Sequence, residues 1–426
     1  MVRGKGLRAT AIGISLTVVA IMPTTSARGQ SATDTSITDL DQPDVTFVAQ
    51  PGNVAQPPQP EVQPPPRRQL IPRRRSVTRR PQFRLASVPN MFGDVFPSSG
   101  QLFATDLLVA PAGAMADLPL AGGARRNKIA ENNKALPMDR VYLMYNRYND
   151  ALLADTTSFL LGADRRDYAV DKFTVGLERT FFDGLCSLDV RMPLTSRFSF
   201  FTTSFDIQGG NVGNLAVALK RSLYVTDNTS IVAGLGLDLP TGSDVRGRVN
   251  DPTYTVHNDA VMIQPFLGFL AASDDAHFLH GFVQLDVPTH GNRISFQNTT
   301  LGTAGNIGRY DDQTLLYVDV AAGYWLYRNP HPQGISGLAA VAELHYTTAL
   351  EDTDVVGANV DPLPLGLDTT LTFSRTTNRF DILNLTLGLD AEVGLTNFRV
   401  GAVFPLTDGS NQMFKSEIQA QINRRY

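Results

Sequence analysis

From Arg140 to the C-terminal Tyr426, apolar and polar residues alternate with period two. That period belongs to strands with one face in an apolar medium and the other in a polar one. Phe173, Val175 and Leu177 alternate with Thr174, Gly176 and Glu178, and Cys186, Leu188, Val190 and Met192 with Ser187, Asp189 and Arg191. Further along, Leu215, Val217 and Leu219 alternate with Ala216, Ala218 and Lys220. Leu383, Leu385, Leu387 and Leu389 do the same with Asn384, Thr386 and Asp390. The last segment sets Ile418, Ala420 and Ile422 against Glu417, Gln419, Gln421 and Asn423. Twelve such segments are predicted as strands, at 140–149, 171–182, 185–193, 213–225, 230–239, 260–271, 277–287, 314–327, 337–348, 381–391, 397–404 and 414–426.

The connections carry more information than the strands. Long stretches (150–170, 194–212, 240–259, 288–313, 349–380 and a moderate 405–413) alternate with short turns at 183–184, 227–228, 273–275, 329–334 and 394–396. Membrane barrels keep short turns on one side and long loops on the other, and an even-stranded barrel begins and ends its series with a long loop. The expected fold is therefore all-β, a transmembrane antiparallel up-and-down β-barrel of twelve strands. The weakly alternating stretches 196–207 and 369–373 either extend a hairpin beyond the membrane or raise the count to fourteen. Pro265 lies within one predicted strand and calls for a bulge or a strand start there.

Ahead of the barrel the composition changes twice. Arg3, Lys5 and Arg8 precede a mainly apolar run from Ala11 to Met22, which is too short for a membrane-spanning helix and reads as a signal peptide over residues 1–29. Residues 30–85 are rich in Pro and Gln and carry Arg67, Arg68, Arg73, Arg74, Arg75, Arg79, Arg80 and Arg84, the pattern of a disordered linker. Residues 1–85 have a net charge of +7 against −11 for the remainder. The arginines suit an anionic envelope polymer, or serve as a solvated spacer, and the export signal argues against nucleic acid. Residues 86–139 read as a transition segment that lies either in the lumen as a plug or below it. The barrel is assigned to 140–426.

If the apolar face meets lipid, charge is forced to the opposite one, since Lys or Arg at mid-bilayer costs about 2–4 kcal/mol. The candidate lumen-lining residues are Asp189, Arg191, Lys220, Asp286, Asp319, Glu343, Asp390, Arg399, Lys415, Glu417 and Arg425. Two readings stay open: a water-filled conduit with electrostatic selectivity, or a narrow lumen filled by paired charges. Aromatic residues near strand ends (Tyr142, Tyr145, Tyr148, Phe181, Phe182, Tyr224, Tyr324, Trp325, Tyr327, Phe404, Phe414 and Tyr426) suit interfacial girdles. His280 and His345 are placed toward the lumen, and the lone Cys186 serves as a small apolar side chain.

Catalytic chemistry is not indicated. There is no G-x-S-x-G, no H-E-x-x-H and no P-loop, so no enzyme, metal site or cofactor is expected. The acidic run at 351–354 is read as a solvated loop.

The stretch GLGLDLPTGSD, Gly234 to Asp244, resembles a strand-and-turn signature of outer-membrane proteins grouped under the MetA pathway of phenol degradation. The terminal FKSEIQAQINRRY is similar to the signal by which barrel precursors are inserted, apart from Arg424 where an apolar residue is usual. The resemblance implies uptake of apolar or aromatic small molecules. It also implies contacts with outer-membrane lipids and with barrel-assembly machinery at the last strand. The expected function is an outer-membrane channel or uptake barrel for small solutes, with a structural or surface-interaction barrel as the alternative.

Overall fold

A computed structural model of the chain describes residues 82–94, 98–106, 110–119, 126–158, 162–201, 205–249, 252–272, 275–329, 332–361, 369–375 and 379–426. The chain divides into two units at Arg73/Arg74, and all described residues belong to the second. The signal segment, and the linker through residue 81, lie outside the described residues.

Twelve strands form the wall. They are β1 (Arg140–Ser158), β2 (Gly162–Phe181), β3 (Cys186–Phe201), β4 (Leu215–Val225), β5 (Thr229–Leu239) and β6 (Met262–Ala271), followed by β7 (His277–Pro288), β8 (Leu315–Arg328), β9 (Gly337–Ala349), β10 (Asp381–Val393), β11 (Thr396–Pro405) and β12 (Ser416–Arg425). Each pairs antiparallel with the next in sequence. The ring closes where β12 pairs with β1, from Ser416 opposite Asn149 to Arg425 opposite Arg140. Closure leaves no unpaired edge in the wall, which is the condition for a sheet to sit in lipid.

Period-two alternation sorts the two faces. Along β9 the burial pattern switches at nearly every residue: Ala339, Val341, Glu343, His345 and Thr347 point in and are buried, while Leu344 and Tyr346 point out and are exposed. The outward face is apolar on strand after strand, with Val175, Leu219, Leu267, Val283, Leu344, Leu387, Val400 and Ile418 all exposed. An exposed apolar surface that runs round a closed barrel is a lipid-facing belt. Among the described residues no helix is long and apolar enough to cross a membrane.

The strand count is twelve, and the stretches that raised fourteen are accounted for beyond the belt. Residues 196–201 continue β3 past the wall, and Thr369–Ser374 is a strand of an outer collar. In that collar Phe205–Val212 pairs with the end of β3 and with Val245–Val249. Pairing continues through Thr253–Val256, Asn292–Asn298 and Thr303–Tyr310. On the other side Val356–Asp361 pairs with Thr369–Ser374, which pairs with Ser98–Asp106. Ser98–Asp106 forms a hairpin with Ala110–Pro119, and the latter joins the far end of β1 at Ala154–Thr156. The transition segment thus contributes two strands to the long-loop side. Ala110–Pro119 is rich in Ala and Pro and carries little apolar/polar alternation of its own.

Two expectations are corrected. Pro265 needs neither a bulge nor a strand start: β6 keeps one register with β5 (Pro265 opposite Leu235) and with β7, and the β7 ladder simply lacks pairs at Gln264 and Pro265. The proline ring is tolerated where two successive ladder pairs are given up. The aromatic girdle is also smaller than expected. Phe182, Tyr224, Tyr324, Tyr327, Phe404 and Tyr426 are exposed, but Tyr142, Tyr148, Trp325 and Phe414 point inward and are buried. Strand ends offer aromatics to both faces, and spacing to the ends alone does not distinguish them.

The belt assignment makes a simple demand. Leu387 lies mid-strand on the outward face of β10 and is exposed, so Leu387→Arg should cost about 2–4 kcal/mol. Equilibrium unfolding in lipid vesicles reads this, and an unchanged midpoint would contradict the belt at that position.

Candidate functional site: the filled lumen

The inward face of the wall is strongly polar. Lys172, Glu178, Asp189, Arg191, Lys220, Asp238, Gln284, Asp286, Asp319, Glu343, His345, Asp390, Arg399, Glu417, Gln419 and Gln421 are all buried. Burial of so many charges is costly unless each finds a partner. Some find it across the wall: Arg140 reaches Glu178 at 2.8 Å, Lys220 reaches Glu178 at 2.9 Å, Arg191 reaches Asp189 at 2.8 Å and Arg399 reaches Asp390 at 2.9 Å.

The rest of their partners come from the chain's own N-terminal region. Residues 85–94 and 126–139 lie inside the ring, bracketing the collar hairpin. They form no strand ladder with the wall; side chains of the wall bind their backbone instead. Glu343 accepts hydrogen bonds from the N–H groups of Phe92 (2.7 Å) and Gly93 (2.9 Å). Arg399 donates to the carbonyls of Asn90 and Met91, and Gln419 and Gln421 donate to those of Gly93 (2.8 Å) and Phe92 (3.2 Å). On the second pass Asp238 accepts from the Asn127 N–H at 3.2 Å and Gln284 from the Ile129 N–H at 2.7 Å. Arg191 donates to the carbonyls of Lys128 and Glu131, and Lys220 to those of Lys134 and Leu136. Anions of the wall hold N–H groups and cations hold carbonyls, as water would in an open lumen.

Ion pairs tie the same segments down. Arg126 meets Asp286 at 3.1 Å, and Glu131 meets Lys172 at 3.1 Å. Lys128 contacts both Asp94 and Asp319, the latter at 2.8 Å. Asp94, Asp319 and His345 bring ligand-type atoms within 4.8 Å of one another. The Lys128 ammonium in contact with both carboxylates supplies the positive charge that a cation would otherwise bring. His345 Nδ1 lies 2.8 Å from Asp319 and its Nε2 lies 3.1 Å from Glu343, so the imidazole is clamped between wall acids. His280 is also buried on the inward face.

Apolar contacts give the segments their shape. Leu85, Val88, Met91, Phe92, Ile129 and Leu136 cluster with Val232, Phe266, Phe278, Phe282, Trp325 and Val341 of the wall. The Phe92 ring lies against Gly388 and Gly401, where a β-carbon would stand 2.3 Å and 3.0 Å from ring atoms, and Arg399 sits 4.0 Å from its centroid. The two passes touch at Gly93, whose φ of +76° suits glycine and whose missing β-carbon would come 2.5 Å from the Glu131 Cα. Toward the long loops the interior changes character. Leu102, Ile207, Val249, Tyr254, Ile294, Leu371, Phe373 and Phe380 form a continuous apolar core inside the collar.

Of the candidate lumen residues, Asp189, Arg191, Lys220, Asp286, Asp319, Glu343, Asp390, Arg399 and Glu417 are placed together on the buried inner face. Lys415 is not. It precedes β12, is exposed, and pairs with Asp150 at 3.4 Å at the long-loop end. The alternation that assigned it inward stops one residue short, because the strand starts at Ser416. Arg425 is half-buried at the opposite rim and contacts Glu392 and the Ala86 carbonyl. Lys172, Glu178, Asp238 and Arg140 were missed, although each shares the parity of a neighbouring polar position and was legible on that ground. Their partners in 85–94 and 126–139 were not, since those segments have no periodicity.

The Phe92 seat gives a direct test of the packing. Gly388→Ala should destabilise by about 1–3 kcal/mol through overpacking against the ring. Adding Phe92→Ala should remove most of that penalty in a double-mutant cycle measured by chemical unfolding. Additive costs would mean that Phe92 does not occupy this seat.

The chain matches no protein-family model. It matches no curated protein. Solved structures similar to it include an outer-membrane channel from Pseudomonas putida F1, at 10% identity and TM-score 0.40, covering 69% of this chain and 97% of that one. The β-domain of the Bordetella autotransporter BrkA is similar at 10% identity and TM-score 0.36, covering 77% of this chain and 100% of that one. The Pseudomonas putida toluene transporter TodX is similar at 10% identity and TM-score 0.36, over 67% of this chain and 88% of that one. Likenesses of this size leave the reading of the site to the chain's own residues.

Proposed function

We propose that this chain is an outer-membrane channel for small solutes whose conduit is closed at rest by its own segments 85–94 and 126–139. The observation that carries the reading is the mode of attachment. The wall is complete without these segments, because β12 pairs with β1. The segments are held by wall side chains such as Glu343, Arg399 and Lys220 rather than by a strand ladder. Their withdrawal exposes a ring of charged and amide groups to water and breaks no rung of the barrel. A lumen built only to be filled has no need of a surface that water satisfies equally well.

The short turns are assigned to the periplasmic side and the collar to the outside, with Tyr426 periplasmic and the last strand read by the assembly machinery. The apolar core of the collar supports solutes with an apolar or aromatic body, in line with the resemblance at Gly234–Asp244. The arginine-rich linker is assigned to anionic envelope polymer. A structural barrel is the second reading, favoured by the number of buried ion pairs: each pair broken by losing one partner costs about 3–5 kcal/mol.

Planar-bilayer recording separates the two. Glu343→Gln weakens the hold on Phe92 and Gly93 and should raise the frequency of open events over the wild type. Asp94 and Asn384 hydrogen-bond at 2.6 Å, so Asp94→Cys with Asn384→Cys, in a Cys186→Ala background, offers a disulfide lock. The oxidised protein should be silent and the reduced one should conduct. Silence of the wild type, Glu343→Gln and the reduced pair at every voltage, with folding intact, would leave the structural barrel standing.

A further inference from the structure

A second site lies apart from the filled lumen, at the junction of the collar with the long-loop ends of β1 and β2. It is a cavity of about 450 Å³ lined by Gln101, Asp117, Leu153, Arg375, Met413 and Phe414, among others. Two opposite charges face it from different strands. Asp117 comes from the collar hairpin and Arg375 follows the collar strand Thr369–Ser374.

Among the described residues neither charge makes a direct ion pair, although each acts on the other across the cavity. The Asp117 carboxylate accepts a hydrogen bond from Gln101 Nε2 at 3.0 Å and one from the Leu153 N–H at 2.8 Å, both neutral donors. The Arg375 guanidinium rests over the Phe380 ring at 4.1 Å and touches the Met413 sulfur at 2.8 Å. Burial pushes the Asp117 carboxyl above its usual range, and its two hydrogen bonds offset this only in part. Burial likewise draws Arg375 down to about 10. Elsewhere many buried charges make direct ion pairs, as with Arg126 and Asp286 or Lys172 and Glu131. Here two charges of opposite sign share one cavity without a direct ion-pair contact among the described residues. Of the other charged residues described in the lining, Lys415 and Asp150 engage each other, and Arg165 and Asp167 are exposed on β2.

We propose that this cavity binds a zwitterion of the α-amino-acid class, with its carboxylate on Arg375, its ammonium on Asp117 and its apolar side chain toward Leu153, Met413 and Phe414. A singly charged ligand leaves one buried group without its counter-charge, whereas a zwitterion satisfies both at once. Arg is suited to a carboxylate through its planar fork of donors. The charge on each side chain is worth most where water is partly excluded. The site is formed by the collar and does not depend on whether the lumen opens.

The test is a calorimetric titration of the full-length protein in detergent with L-leucine, N-acetyl-L-leucine and L-leucinamide. The first carries both charges, the second only the anion and the third only the cation. Leucine should bind roughly tenfold or more tightly than either analogue, since each removes one charge-assisted contact. Arg375→Gln should abolish the advantage over leucinamide while keeping that over N-acetyl-leucine, and Asp117→Asn should do the reverse. Heat-modifiable gel mobility reports whether each variant is folded. The wild-type series alone suffices if a variant is not: equal affinity for all three compounds, or binding of none, overturns the proposal. Retention of both advantages in both folded variants overturns it as well.

Discussion

A closed membrane barrel has a wall that needs no help and an interior that does. Alternation forces every charge away from the lipid, so the lumen of this chain concentrates acids, bases and amides in a space cut off from the belt. The dominant constraint is that each of those groups must be satisfied. The wall does part of this internally, through pairs such as Arg140–Glu178 and Asp390–Arg399. The remainder falls to a backbone that enters twice and presents N–H groups to acids and carbonyls to bases. Glu343 is the clearest case: one carboxylate accepts from two successive N–H groups and also lies against His345.

From that constraint the layering of the interior follows. Near the short turns and through the belt the interior is polar and occupied by 85–94 and 126–139. Beyond the belt, strands of the collar meet over an apolar core centred on Tyr254, Phe373 and Ile294. The two layers are joined by the hairpin Ser98–Asp106 and Ala110–Pro119, which lies between the two lumenal passes in sequence. The same N-terminal region therefore fills the polar layer and completes the apolar one. A displacement of the lumenal segments is tied at both ends, to the collar on one side and to β1 at Arg140 on the other.

Much of the fold was legible in the sequence, for a physical reason. Lipid on one side and polar groups on the other impose a two-residue period that survives in the sequence, and long and short connections alternate because the two sides of a membrane differ. The twelve wall strands follow from those two signals. The collar did not, because its strands Val245–Val249 and Thr253–Val256 are short and one arm of its hairpin, Ala110–Pro119, is rich in Ala and Pro. Within the lumen, parity identified residues such as Asp189, Lys220 and Glu417. It misassigned Lys415, where the strand had not yet begun, and was never applied to Lys172 or Asp238. The contacts of Met91 to Asp94 and Arg126 to Glu131 are beyond any periodicity, since irregular backbone takes its shape from the wall that surrounds it. Pro265 shows the converse: a local rule against proline in a paired strand yields when a closed ring supplies the remaining rungs.

The central claim is that the lumen is occupied by the chain's own backbone, fixed by wall side chains. Hydrogen exchange of the folded protein in detergent, resolved at Met91, Phe92 and Gly93, tests it most directly. Their N–H groups bond to Asn133, Glu343 and Glu343, at 2.7, 2.7 and 2.9 Å. The account predicts protection of these amides well above that of an unstructured peptide, and a marked loss of it at Phe92 and Gly93, but not at Met91, in Glu343→Gln. Exchange at all three positions at the rate of free chain, with the strands protected, would contradict it.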